Sequence, residues 1–202
     1  VMDESTTRRG VDTVNAKWGN LQAILAGDFL LAKASEIAAG LGTEVAGLLA
    51  RTIGQLCEGQ ILELRHTYNV ARPIDAYLAS INGKTASLYS TAARIGGLVA
   101  GHDRATVDAL TAYGTAYGMV FQVLHTLAAG GAAASELNAI LGKPLDSVER
   151  DKVLEIVRSN GGVQTAIDQA RSFVADAEAA CDALPKGATT TAMRKATAAL
   201  LA

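Results

Sequence analysis

The feature that most constrains this chain is how little in it would stop a helix. Its 202 residues include three prolines, so long stretches keep every backbone donor and escape the ring clash that breaks helices. Apolar side chains recur at three-to-four spacing, as in Val45, Leu48, Leu49, Ile53 and Leu56, and again in Val107, Leu110, Tyr113, Tyr117 and Phe121. That is the period of a helix with one buried face, and no strand-like alternation competes with it. A first helix is expected from about Val14 to Gly40, stopped by Gly40 and Gly42. Thr43 can cap a second. Pro73 suits the first turn of a third, which runs to about Ala100, and Asp103 can cap a fourth. A loop from Ala128 to Ala134, a short helix near Glu136 to Leu141 and a helix after Asp146 follow. Helices over about Gly162 to Leu184 and Thr189 to Leu201 close an all-α chain.

Composition says how such helices pack. Half the residues are hydrophobic but only 4% are aromatic, so the core is built from Ala, Leu, Val and Ile, which favours close helix contacts. Gly27, Gly54, Gly59, Gly83 and Gly118 sit inside the helical stretches, each costing up to about 1 kcal/mol against Ala. They point to helices in close approach, or to a substrate passing the backbone. A net charge of -2 excludes a strongly basic nucleic-acid binder. Cys57 and Cys181 cannot form a disulfide framework, and Cys57, in an apolar pattern, is expected to be a buried, inert thiol. Asp28, in an apolar helix, should be paired or hydrogen-bonded. His66, His102 and His125 show no metal-ligand spacing. No apolar run is long enough to cross a bilayer and no leader opens the chain, so a soluble, cytoplasmic protein is expected.

The first ten residues, VMDESTTRRG, combine Asp3 and Glu4 with the adjacent pair Arg8 and Arg9. By composition alone this is a solvated polar terminus. Further along come Gly27-Asp28-Phe29-Leu30, Glu58-Gly59-Gln60, Gly83-Lys84-Thr85 and Gly118 to Gln122, GMVFQ. Each alone is weak; the GKT lacks the upstream glycine of a phosphate loop. In this order and spacing they resemble the trans-isoprenyl diphosphate synthases, the polyprenyl synthetase family. The likeness covers nearly the whole chain, is strongest from Val1 to Val123, and is closer to bacterial medium- and long-chain synthases than to farnesyl synthases. It implies a single domain over residues 1–202, an antiparallel helical bundle around a central cavity. VMDESTTRRG would continue the family's first aspartate-rich motif, DDxxD followed by RRG. Past Gln122 the family pattern has a second aspartate cluster, a lysine loop and a turn, whereas here FQV runs straight into LHTLAAGG. The resemblance therefore implies that N-terminal helices and a segment near 123/124 fall outside these residues. Gly142-Lys143-Pro144, in an interhelical setting, does not replace that lysine loop.

What the resemblance implies chemically is prenyl transfer. An allylic diphosphate ionises, isopentenyl diphosphate attacks the carbocation, a proton is lost and pyrophosphate is released, giving an all-trans polyprenyl diphosphate. The barrier lies in separating a multiply charged leaving group from a cation, so the site must neutralise the diphosphate as charge develops. Carboxylates hold Mg2+, a hard ion suited to phosphate oxygens, and arginine forks grip phosphates bidentately. By resemblance Asp3 would bind Mg2+, Arg8 the allylic diphosphate and Arg9 the isopentenyl diphosphate. Lys84 would stabilise the leaving diphosphate, and Thr85 and Gln122 would line the site where the cation forms. The family acts as a homodimer, and the same is expected here. Two other readings stand beside this one: a non-catalytic regulatory subunit of a hetero-oligomeric synthase, and a helical scaffold with no small-molecule function. On residue type alone Lys84 is a surface lysine and Gln122 a satisfied polar group in a helix.

Overall fold

The computed structural model describes residues 5–8, 10–67, 69, 72–128, 148, 152, 155 and 162–202. The chain divides into two compact units, Val1–Leu49 and Ala50–Ala202. The first opens on a small antiparallel hairpin, β1 (Thr7–Arg8) against β2 (Val11–Asp12), with Arg8 opposite Val11. Gly10 allows the turn, since its φ of 80° lies in the left-handed region that favours glycine. Thr13 ties the hairpin to the next helix: its hydroxyl donates to the Ser5 carbonyl at 2.7 Å and accepts from the Ala16 amide at 3.3 Å. It is thus the N-cap of α1 (Val14–Trp18).

The single helix expected from Val14 to Gly40 is broken. Gly19, at φ 88°, ends α1, and α2 (Asn20–Gly40) starts immediately after it. Periodicity cannot register this, because a glycine that turns and a glycine that stays helical look alike in sequence. Asp28, expected to be paired within an apolar helix, is instead exposed on α2, where Ala38 is the buried residue. Next, α3 (Thr43–Arg65) begins at Thr43 itself and spans both units.

In the second unit the expected third helix is present but not uniform. It consists of α4 (Ile74–Ile81), a π-helical turn over Asn82–Ala86, and α5 (Ser87–Val99). Pro73 stands just before it as the N-cap. After a turn through Gly101, α6 (Arg104–Ala128) follows, capped by Asp103, whose carboxylate accepts the Thr106 amide at 2.7 Å. That hydrogen bond holds the Asp103 pKa below the ordinary carboxylate value. The cap's contribution is therefore present at neutral pH and is lost as the pH falls through this lowered value.

Two further helices, α7 (Gly162–Asp182) and α8 (Ala188–Ala198), close the chain, and α8 ends in a 3-10 turn, Ala199–Leu201. Helix α6 is central, with Val107 and Val120 fully buried. Ile81, Ala86, Met119, Val123 and Ala170 form one core cluster. The Tyr113 hydroxyl donates to the Met193 carbonyl at 3.0 Å and accepts from Thr197 at 3.2 Å, tying α6 to α8, and burial raises its pKa.

The all-α expectation holds. Cys57 corrects the sequence reading: it is exposed, whereas Cys181 is the buried thiol. The expected loop at 128–134, the helix near 136–141 and Gly142-Lys143-Pro144 lie outside the described residues, apart from Ala128 at the end of α6; of the helix expected after 146, Val148, Lys152 and Glu155 are described, each of them helical. Helix α6 continues without interruption through Val123 and Leu124. Among the described residues no helix is long and apolar enough to cross a membrane.

Candidate active site

The π-helical turn coincides with the GKT element, Gly83-Lys84-Thr85. Such turns insert one extra residue per turn and are found often at functional sites, where they re-aim side chains. Here a close helix crossing fixes the turn. A Cβ on Gly59 of α3 would lie 2.4 Å from the Lys84 amide nitrogen and 2.8 Å from both the Gly83 carbonyl carbon and the Ser80 oxygen. From the other side, a Cβ on Gly83 would lie 2.9 Å from the Gln55 carbonyl oxygen. Only glycine permits backbones this close, so the packing explanation of these glycines holds at Gly59 and Gly83. It also holds at Gly118, where a Cβ would lie 2.6 Å from Ala86 Cα. It does not extend to Gly27 and Gly54, where a Cβ would meet nothing within 4 Å.

One serine hydroxyl bridges the crossing and a second braces the turn from within its own helix. Ser80 Oγ, buried, donates to the Gly59 carbonyl at 3.1 Å, and Ser87 Oγ donates to the Gly83 carbonyl at 2.6 Å. These supply partners to carbonyls near a widened turn, where regular helical pairing is disturbed.

From this frame the side chains diverge. Thr85 Oγ1 donates to Gln122 Oε1 at 2.8 Å, joining the turn to α6 and fixing the amide. Lys84 reaches back along α3, where its Nζ meets Glu63 Oε2 at 2.8 Å; the two side chains are 34% and 41% exposed. Three residues singled out in sequence, Lys84, Thr85 and Gln122, are thus gathered around one turn. Arg8 belongs to the first unit, exposed on β1. Asp3 and Arg9 lie outside the described residues.

Sequence reasoning missed Glu63. Its signal was the four-residue spacing from Gly59, which places both on one face of α3. Next to the site, Tyr89 on α5 stands 5.4 Å from Tyr117 and 5.6 Å from Phe121, ring centre to ring centre.

Among the described residues no group of three or more His, Cys, Asp and Glu side chains could hold a metal ion. The described residues do not by themselves fit a bound Mg2+.

Comparison with known proteins places this arrangement. The family model described as polyprenyl synthetase matches residues 1–125. The chain is 33% identical to nonaprenyl diphosphate synthase of Mycobacterium tuberculosis, over 92% of its own length and 65% of that protein. That alignment extends over 217 positions and uses 92% of the 202 residues here, about 186, so about 31 of its positions have no counterpart in this chain. Among other curated relatives the chain spans as little as 29% of their length. A crystal structure of decaprenyl diphosphate synthase from Rhodobacter capsulatus superposes with a TM-score of 0.90 at 26% identity, covering 99% of this chain and 72% of that one. Geranylgeranyl pyrophosphate synthase from Corynebacterium glutamicum, crystallised with calcium and isoprenyl diphosphate, gives 0.82 at 31% identity, covering 99% and 70%. With well over half its length matched by the family model, and the GKT and GMVFQ residues meeting at one helix crossing, this chain belongs to the polyprenyl synthetase family.

Proposed function

We propose that the protein is a prenyltransferase that condenses isopentenyl diphosphate with an allylic diphosphate and releases pyrophosphate. The observation that carries this reading is the grouping of Lys84, Thr85 and Gln122 at the π-helical turn. When the allylic C–O bond breaks, its electron pair leaves with the diphosphate. A lysine ammonium beside that group stabilises the charge as it develops. The Thr85 and Gln122 dipoles face the cation left behind, and the double bond of isopentenyl diphosphate closes the new C–C bond before a proton is lost. Arg8 and Arg9 supply the bidentate grip on the two diphosphates. Asp3 contributes to holding a divalent cation, Mg2+ in this reading, together with groups beyond the described residues. We assign the unmatched positions of the mycobacterial relative to the junction at Val123 and Leu124, where the family pattern breaks off.

Release of pyrophosphate tests the reaction class. The full-length protein with Mg2+ and both diphosphates should liberate it, and omission of isopentenyl diphosphate should stop the release. Equal release from the allylic diphosphate alone would mean hydrolysis and would overturn the reading.

The same reading includes a homodimer built on α2. Leu21, Ile24, Leu25, Phe29, Leu30, Leu31 and Ile37 are all exposed, from 42% to 68%. At 100° per residue they are spread around the helix among Asp28, Lys33 and Glu36, and this much exposed apolar surface marks an interaction face. A second copy of the chain offers the same helix in return, as a two-fold interface requires. Light scattering should give twice the chain mass for the wild type, and a monomer for the double variant Leu25→Asp, Phe29→Asp. A wild-type monomer at micromolar concentration would contradict this assignment.

A further inference from the structure

Resting on the prenyltransferase reading, we propose that Glu63 is a positioning residue that holds the Lys84 ammonium at the π-helical turn while a diphosphate engages its remaining donors. The reason lies in what the 2.8 Å Glu63–Lys84 contact cannot be. Both side chains are more than a third exposed, or nearly so, and ion pairs in such settings add little to stability. The crossing beneath them is already fixed by backbone contact at Gly59 and Gly83 and by the Ser80 hydroxyl on the Gly59 carbonyl. Removing the carboxylate therefore leaves the fold standing and acts on the lysine alone.

Its effect on the lysine has two parts. Lys84 carries a flexible stem, and its ammonium has three donors. One is taken by Glu63, which holds the charge at the π-helical turn and leaves the others to meet a phosphate oxygen. The same carboxylate is negative and lies within a few ångströms of where the diphosphate must come, so it weakens ground-state binding of a polyanion. Glu63 thus trades affinity for placement. Interactions that tighten only as the leaving group gains charge raise turnover, whereas uniform binding does not.

These parts predict a signature that a structural role does not produce. In Glu63→Gln, which keeps size but removes the charge, KM for the allylic diphosphate should fall and kcat should fall with it. Inorganic pyrophosphate, titrated calorimetrically in Mg2+ buffer into the full-length protein, should bind up to about fivefold more tightly, the scale of an exposed ion pair. Turnover should drop about tenfold from the loss of placement. Glu63→Asp, which keeps the charge on a shorter stem, should return pyrophosphate affinity toward the wild type. The melting temperature should be the same in all three. Unchanged or weaker pyrophosphate binding in Glu63→Gln overturns the inference, as does a loss of turnover that tracks a lowered melting temperature. Absence of any elongation by the wild type, with the pyrophosphate difference intact, strikes the reaction assignment and not the Glu63–Lys84 competition.

Discussion

Lys84→Ala should lower turnover about a hundredfold or more, the range found when one preorganised donor to a developing anion is removed. The same change should leave the melting temperature almost unmoved. Its side chain is a third exposed, and that of its partner Glu63 is more exposed still, so the lost pair is worth about 0–1 kcal/mol. The backbone of residue 84 stays clamped at Gly59 whatever its side chain. A large kinetic effect with no stability effect separates a catalytic lysine from the surface lysine that composition alone suggests. Thermal melting beside steady-state kinetics on the same preparation reads both. Wild-type turnover in Lys84→Ala would remove Lys84 from the site.

Gly59→Ala should do the opposite and damage fold and function together. The added methyl group would sit 2.4 Å from the Lys84 amide nitrogen and 2.8 Å from the Gly83 carbonyl carbon and the Ser80 oxygen. All three are backbone atoms, so no side chain can swing away. The helix α3 and the turn must separate by more than 1 Å to restore ordinary contact, and overpacking of this kind costs about 1–3 kcal/mol. For a chain of this size that lowers the melting temperature by about 3–10 °C. Activity should fall further than the folded fraction does, because the displaced turn carries Lys84 and Thr85. Gly54→Ala on the same helix is the control: its Cβ meets nothing within 4 Å. It should gain about 0.5–1 kcal/mol from helix propensity. Equal melting temperatures for the two variants would refute the close crossing.

Much of this was legible in sequence because it is local. The spacing of Val107, Leu110, Tyr113, Tyr117 and Phe121 marked α6, and Asp103 and Pro73 marked helix starts found at those places. The break at Gly19 was not, since a glycine at φ 88° and a glycine that stays helical read alike in a periodic pattern. Cys57 misled for a similar reason: an apolar pattern tells which residues can be covered, not which face of α3 a neighbour covers. The π-helical turn depends on contacts with Gly59 and Gly118, 24 and 35 residues away from Gly83, so no window around GKT contains its cause. Lys84, Thr85 and Gln122 were found through family resemblance. Glu63 carried no such mark; only the folded crossing brings it to Lys84.

The central claim is that the turn at Lys84 and Thr85, facing Gln122, serves an allylic diphosphate. The most direct measurement incubates the full-length protein with labelled isopentenyl diphosphate, Mg2+ and a series of allylic primers, then extracts the product and fixes its length by chromatography. The account predicts label in an extended all-trans chain from at least one primer, greatly reduced in Lys84→Ala. No extended product from any primer, with the protein folded by thermal melting, would contradict it.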